Sequence, residues 1–228
     1  MRSVLYKCLI LIAILSLRAL PASADACGYT GVRIEGAQAV EEKAACASIE
    51  KLTVYFRSIG IESAAPTIHF YFKPEVILPG TETRVHGYFD TDDNSIHMTH
   101  FEGQAGRMPW GFVWSEAMAS SFLLHEVAHL FAISYMGGDF RKLQRHWHEF
   151  LAYSLQIELM DPELKQRLLQ FNGGATAFEK PGDVSSMHYE MDPDRYALRA
   201  YFSTQKWGGV TFMKNLLNRK IPESLVTR

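Results

Sequence analysis

Residues 121–131 read SFLLHEVAHLF, and apart from Ser121, His125, Glu126 and His129 every position in that run is apolar. The stretch from Trp114 to about Tyr135 holds no helix breaker, and Gly137-Gly138 close it as glycines do past a helix end. A helix that is apolar on nearly every side belongs in a core. Polar groups buried there cost free energy unless they are paired. Residues four apart on a helix lie one turn above each other, so the imidazoles of His125 and His129 can reach one point. Two neutral imidazoles converging in this way make half of a tetrahedral zinc site. Glu126 is rotated about 100° from His125, which sends its carboxylate towards a water on the metal and not towards the metal itself. Zinc lowers the pKa of that water towards ~7, and a carboxylate beside it can take the proton. The reading without a metal is a pair of core histidines bonded to backbone.

A catalytic zinc needs a third protein ligand and one open position. A third histidine six residues past the motif, preceded by a glycine, is excluded because Ala132 and Tyr135 stand at those places. Downstream, Asp139, the His146/His148 pair and Glu149 remain as candidates, with Asp139 also suited to capping a glycine turn and Glu149 to pairing with Arg145 one turn earlier.

On these residues the chain resembles the zincin metallopeptidases, and among them the gluzincins. That group completes its site with a Glu on the next helix, within a Glu-x-x-Ala-Asp string. Here Glu149-Phe150-Leu151-Ala152-Tyr153 matches the Glu and the Ala, with Tyr153 where the Asp is expected. The resemblance implies one zinc ion held by His125, His129 and Glu149, with Glu126 as the general base. The family's Asp orients the first ligand histidine; Tyr153, one turn from Glu149 on the same face, can accept or donate that bond with its hydroxyl. The resemblance also implies an α+β, zincin-like fold in which a hairpin before the motif helix pairs with an extended peptide. Residues 87–99 supply that hairpin, with Ser95 to Thr99 as its edge. An oxyanion-stabilising Tyr or His comes from a later helix, and His188, Tyr189, Tyr196 and Tyr201 are the available residues. The resemblance covers about residues 84–153 and implies a zinc peptidase acting on a peptide or protein substrate. The rival is a zincin-like module that binds metal or peptide without turnover.

The rest of the chain agrees with an α+β class. Val32 to Glu35 reads as a short strand, Gln38 to Ile59 as an amphipathic helix, residues 66–73 as a strand and 84–101 as a hairpin around an Asp/Asn-rich turn. After the motif helix come helices from about Phe140 to Met160 and from Pro162 to about Phe171, a loop-like segment from Asn172 to Met187, and a helix opened by Asp192-Pro193. Strands therefore come first and helices afterwards, which predicts a sheet lobe (25–111), the motif helix (112–136) and a helical lobe (137–228) within one domain. His97 and His100 read as ordinary strand and loop residues, since no metal-ligand spacing joins them.

Residues 1–24, with Arg2 and Lys7 before an apolar centre and Ala22-Ser23-Ala24 at the end, read as a secretory signal peptide. Its apolar centre is shorter than the ~20 residues that span a bilayer, and no later segment reads as a membrane span. Removing the leader leaves 20 basic against 25 acidic residues, a balance of −5 that predicts neither a nucleic-acid nor an anionic-membrane partner. The location implied is periplasmic or extracellular. Cys8 leaves with the leader, and Cys27 and Cys46 remain as an even pair for a disulfide.

Overall fold

The computed structural model describes residues 26–62 and 66–221. The leader expected at residues 1–24 lies outside them. The class is α+β. Strand β1 (Val32–Glu35) leads into helix α1 (Ala39–Ser58), which crosses to β2 (Ile68–Lys73). A small two-stranded piece follows, β3 (Val76–Ile77) with β4 (Arg84–Val85), then the hairpin β5 (Gly87–Asp90) and β6 (Ser95–Thr99). The main sheet has the order β1-β2-β6-β5. β1 and β2 run parallel, from Val32 opposite Ile68 to Glu35 opposite Tyr71, and a crossover helix is what such a pairing requires. β2 and β6 are also parallel, His69 to Lys73 facing Ser95 to Thr99. β5 is antiparallel to β6, Gly87 opposite Met98 and Asp90 opposite Ser95. The turn between them ends on Asn94 at φ 56, the left-handed region that asparagine tolerates.

One expectation is corrected here. Ser95–Thr99 is not the edge of the sheet, because β6 lies between β2 and β5. Ser95, Ile96, Met98 and Thr99 are all buried, as befits an inner strand. The edge strands are β1 and β5, and β5 is the one on the hairpin's side. A hairpin pattern specifies which two strands pair, and the second, parallel partner of β6 comes from 22 or more residues earlier in the chain, where no local signal reports it.

Helix α2 (Glu116–Met136) carries the motif. Ser115 caps it, its hydroxyl accepting the Met118 N–H at 3.2 Å. Gly137, at φ 58, ends it. By length and composition Glu116–Lys142 would suffice to cross a membrane, contrary to the sequence reading. With 67% of its most apolar window buried inside the protein, it is the central core helix. α1 packs along one side of it, the Phe56 and Phe131 rings meeting edge-on at 5.5 Å. β5 and β6 cover another part, and α3 (Arg145–Leu159) lies along a third.

The helix expected from about Phe140 starts five residues later. Gly137–Lys142 winds as 3-10 turns, and Leu143 and Gln144 are extended before α3 begins. The His148 ring closes this linker by stacking on Phe140 at 4.0 Å and bonding the Phe140 carbonyl at 2.8 Å. Then come α4 (Pro162–Phe171), a short α5 (Ser186–Met191), α6 (Pro193–Lys206) and α7 (Val210–Leu217). Asp192 caps α6 as its sequence implies, accepting the Arg195 N–H at 2.9 Å. One hydrophobic cluster runs from Phe70 and Ile96 in the sheet, through Leu124 and Val127 of α2, to Phe150 and Phe212 in the helices. Burying each such side chain contributes roughly 1.5–3 kcal/mol, so α2 is held rigidly from both sides.

Cys27 and Cys46 form the expected disulfide, tying the N-terminal turn to α1. Such a bond belongs to an oxidising compartment.

Candidate metal centre

His125 and His129 lie one turn apart on α2 with their planes at 83°, and both are buried. Their Nε2 atoms are 3.1 Å from each other. Glu149, on the second turn of α3, brings its Oε2 to 3.3 Å from His125 Nε2 and 3.8 Å from His129 Nε2. Zinc bonds of about 2.0–2.1 Å in a tetrahedron place ligand atoms roughly 3.3 Å apart. The three distances therefore fit the edges of one tetrahedral face. Among the described residues, this is the one group of three or more His, Cys, Asp and Glu side chains that could hold a metal ion.

The other downstream candidates are engaged elsewhere. Asp139 sits at the surface in ion pairs with Lys142 and Arg219, both at 2.8 Å. His148 serves the Phe140 carbonyl. His146 stands outside the converging group, and its main-chain oxygen accepts the Tyr196 hydroxyl. On the sheet, His97 is stacked between Tyr71 and Tyr88, and His100 bonds the buried Glu41 at 3.0 Å.

The side chains of the centre bias one another's charge. Burial alone would raise the Glu149 carboxyl, but its bond to His125 and nearby positive charge, that of Arg145 included, hold it well below the usual range. Burial lowers His129 strongly and keeps that imidazole neutral. Burial also pushes Glu126 up, to about 7, against the pull of His125 and a hydrogen bond from the Phe89 main chain. Glu126 is thus a carboxyl poised to gain and lose a proton near neutrality, beside two nitrogens and an oxygen that offer lone pairs.

These groups floor a cleft of about 730 Å³ whose wall is β5. The bond from Thr99 N–H to the His86 carbonyl, 2.9 Å, sets the phase of that strand. Alternation then turns the N–H and C=O groups of Gly87 and Phe89 away from β6 and towards the cleft. The Phe89 main chain meeting Glu126 is the direct sign of it. Opposite, Tyr189 of α5 enters the cleft with Arg145 near its ring at 5.8 Å. It is the one member of its group of four that does so. Tyr196 is buried and bonded to His146, Tyr201 packs in a separate hydrophobic cluster with Trp110 and Leu164, and His188 bonds Ser185 at 2.9 Å.

A model of protein-family sequences matches residues 32–223. The chain belongs to the family of unknown function DUF6639. No curated protein and no solved structure matches it significantly. The stretch matched to DUF6639 contains His125, Glu126, His129, Glu149 and Tyr189, and with them the whole cleft floor.

Two residues of the site, Gln156 and Phe89, had no place in the sequence reading. Gln156 bonds His125 Nδ1 at 3.1 Å, while the ring of Tyr153, the residue at the family's Asp position, meets the same imidazole tilted at 4.4 Å. Gln156 lies two helical turns past Glu149 on the same face of α3, and that spacing is the signal that could have found it. Phe89 acts through its main chain, so no side-chain pattern announces it.

Proposed function

We propose that this DUF6639 chain is an exported zinc-dependent metallopeptidase with a zincin-like fold of gluzincin type. The observation that carries the reading is the convergence of His125, His129 and Glu149 on one point, with Glu126 beside them and a free strand edge along the same cleft. A zinc ion held there would supply Lewis acidity, polarising a carbonyl and lowering the pKa of a water to ~7. The donor set suits it, since two imidazoles and one carboxylate are the ligands of hydrolytic zinc.

Gly87, through its N–H and C=O, and Phe89, through its C=O, offer main-chain groups to an extended peptide, which would lie as a further strand beside β5. Glu126 takes a proton from the attacking water as its oxygen bonds to the peptide carbonyl carbon. The C–N bond then breaks, and Glu126 delivers the proton to the departing amine. The Tyr189 hydroxyl, with the Arg145 cation at its ring, donates to the oxygen on which negative charge develops. Burial raises the pKa of Tyr189 well above a free phenol's, so it keeps its proton for that bond. The amino-terminal leader and the Cys27–Cys46 disulfide support export. The direct test incubates the mature protein with a broad peptide library. Cleavage that stops with a chelator and returns with zinc is the expected result; cleavage indifferent to chelator contradicts the reading.

A further inference from the structure

The tyrosine at 153 leaves open what orients His125, and the hydrogen-bond polarity around Gln156 answers it. Gln156 is fully buried and Ser121 is 2% exposed, so neither has water as a partner of convenience. The Ser121 hydroxyl has one proton, and it goes to the Met118 carbonyl at 2.8 Å. Ser121 Oγ must then accept from Gln156, whose Nε2 lies 3.3 Å away. With its amide nitrogen committed to Ser121, Gln156 can present only its carbonyl oxygen to His125 Nδ1, at 3.1 Å. An acceptor at that place requires the proton of the neutral imidazole to sit on Nδ1. The lone pair is left on Nε2, the atom that faces His129 and Glu149.

We infer that Gln156, locked by Ser121, is the positioning residue of the metal centre, and that it fixes the metal-binding tautomer of His125 through a neutral amide in place of a carboxylate. A carboxylate at that position would make the imidazole more basic and the metal less acidic. An amide fixes the tautomer without that added negative charge. The ligand set then carries a single negative charge, from Glu149, so the metal keeps more of its Lewis acidity and is held less tightly. Tyr153 contributes by packing its tilted ring against the imidazole at 4.4 Å, limiting its rotation.

This inference rests on the proposed metal centre, and the experiment separates the two. Zinc affinity is measured by chelator competition on the mature wild type, Gln156→Met, Gln156→Glu and Ser121→Ala, with thermal unfolding in chelator as the check on folding. The Nδ1–H tautomer of His125 is read by long-range 1H–15N correlation in the zinc-loaded protein. Gln156→Met should weaken zinc roughly 10–100-fold, the usual effect of losing such a partner. Ser121→Ala should weaken it about 3–10-fold by freeing the amide to flip, and Gln156→Glu should bind about as tightly as wild type or tighter. If Gln156→Met does not fold, Ser121→Ala and Gln156→Glu decide. Wild type that binds no zinc refutes the metal centre itself. Zinc affinity unchanged across the variants, in a wild type that does bind zinc, overturns only the role of Gln156, as does a Gln156→Glu chain weaker than Ser121→Ala.

Discussion

Glu149→Ala removes the ligand that α3 contributes to a centre otherwise carried by α2. Its Oε2 is one of three atoms on the tetrahedral face, 3.3 and 3.8 Å from the two imidazole nitrogens. Zinc held by four protein ligands in small domains is worth about 10–16 kcal/mol, so one ligand carries roughly 2.5–4 kcal/mol. At about 1.4 kcal/mol per decade that is about a 10²–10³-fold loss of affinity. This exceeds what the loss of an orienting partner costs, so the two roles separate by size. The change also removes the carboxylate oxygen that meets both imidazoles, leaving two nitrogens 3.1 Å apart without it. Competition with a chromogenic chelator measures the affinity, and elemental analysis of the purified protein counts the metal. Asp139→Asn and His148→Ala serve as controls. The first alters a surface carboxylate paired with Lys142 and Arg219; the second removes the Phe140 stack and costs stability but no ligand. If Asp139→Asn loses the zinc and Glu149→Ala retains it, the assignment of the third ligand is wrong.

Further outcomes concern export. The secreted protein should begin at or near Asp25 by N-terminal sequencing; a cytoplasmic product retaining Met1 contradicts the leader. Reducing Cys27–Cys46, 19 residues apart, should destabilise the protein by roughly 3 kcal/mol in the chain-entropy model, measured by denaturant unfolding with and without reductant. Unreduced, unfolded protein that labels at two thiols would refute the bond.

What the sequence made legible follows from how local each signal is. The motif helix announced itself by an unbroken apolar run closed by glycines, and α2 has nearly those ends. Glu149 was reached through its resemblance to a spacing, and the structure brings it to both histidines. The Cys27–Cys46 pairing followed from arithmetic on an even pair. The edge strand was misplaced because β6 has two partners and only the hairpin partner is near in sequence. α3 started late because Phe140 belongs to a 3-10 linker held by His148, a contact across eight residues that periodicity does not register. Gln156 escaped because a buried glutamine in an apolar helix looks like any other until Ser121, 35 residues earlier, is found against it.

The most direct test of the account is turnover by zinc-loaded Glu126→Gln beside zinc-loaded wild type on the same peptide library. The substitution keeps the size and shape of the side chain and touches none of the three ligands, so both proteins should carry one zinc. Loss of a general base costs about 10²–10⁴-fold in rate, and more where the same carboxyl also delivers the proton to the amine. Wild type should cleave and Glu126→Gln should be metal-loaded and nearly silent. Wild type that is zinc-loaded and cleaves nothing would make the chain a metal-binding module without turnover, and equal cleavage by the two would contradict the assignment of Glu126 as the base.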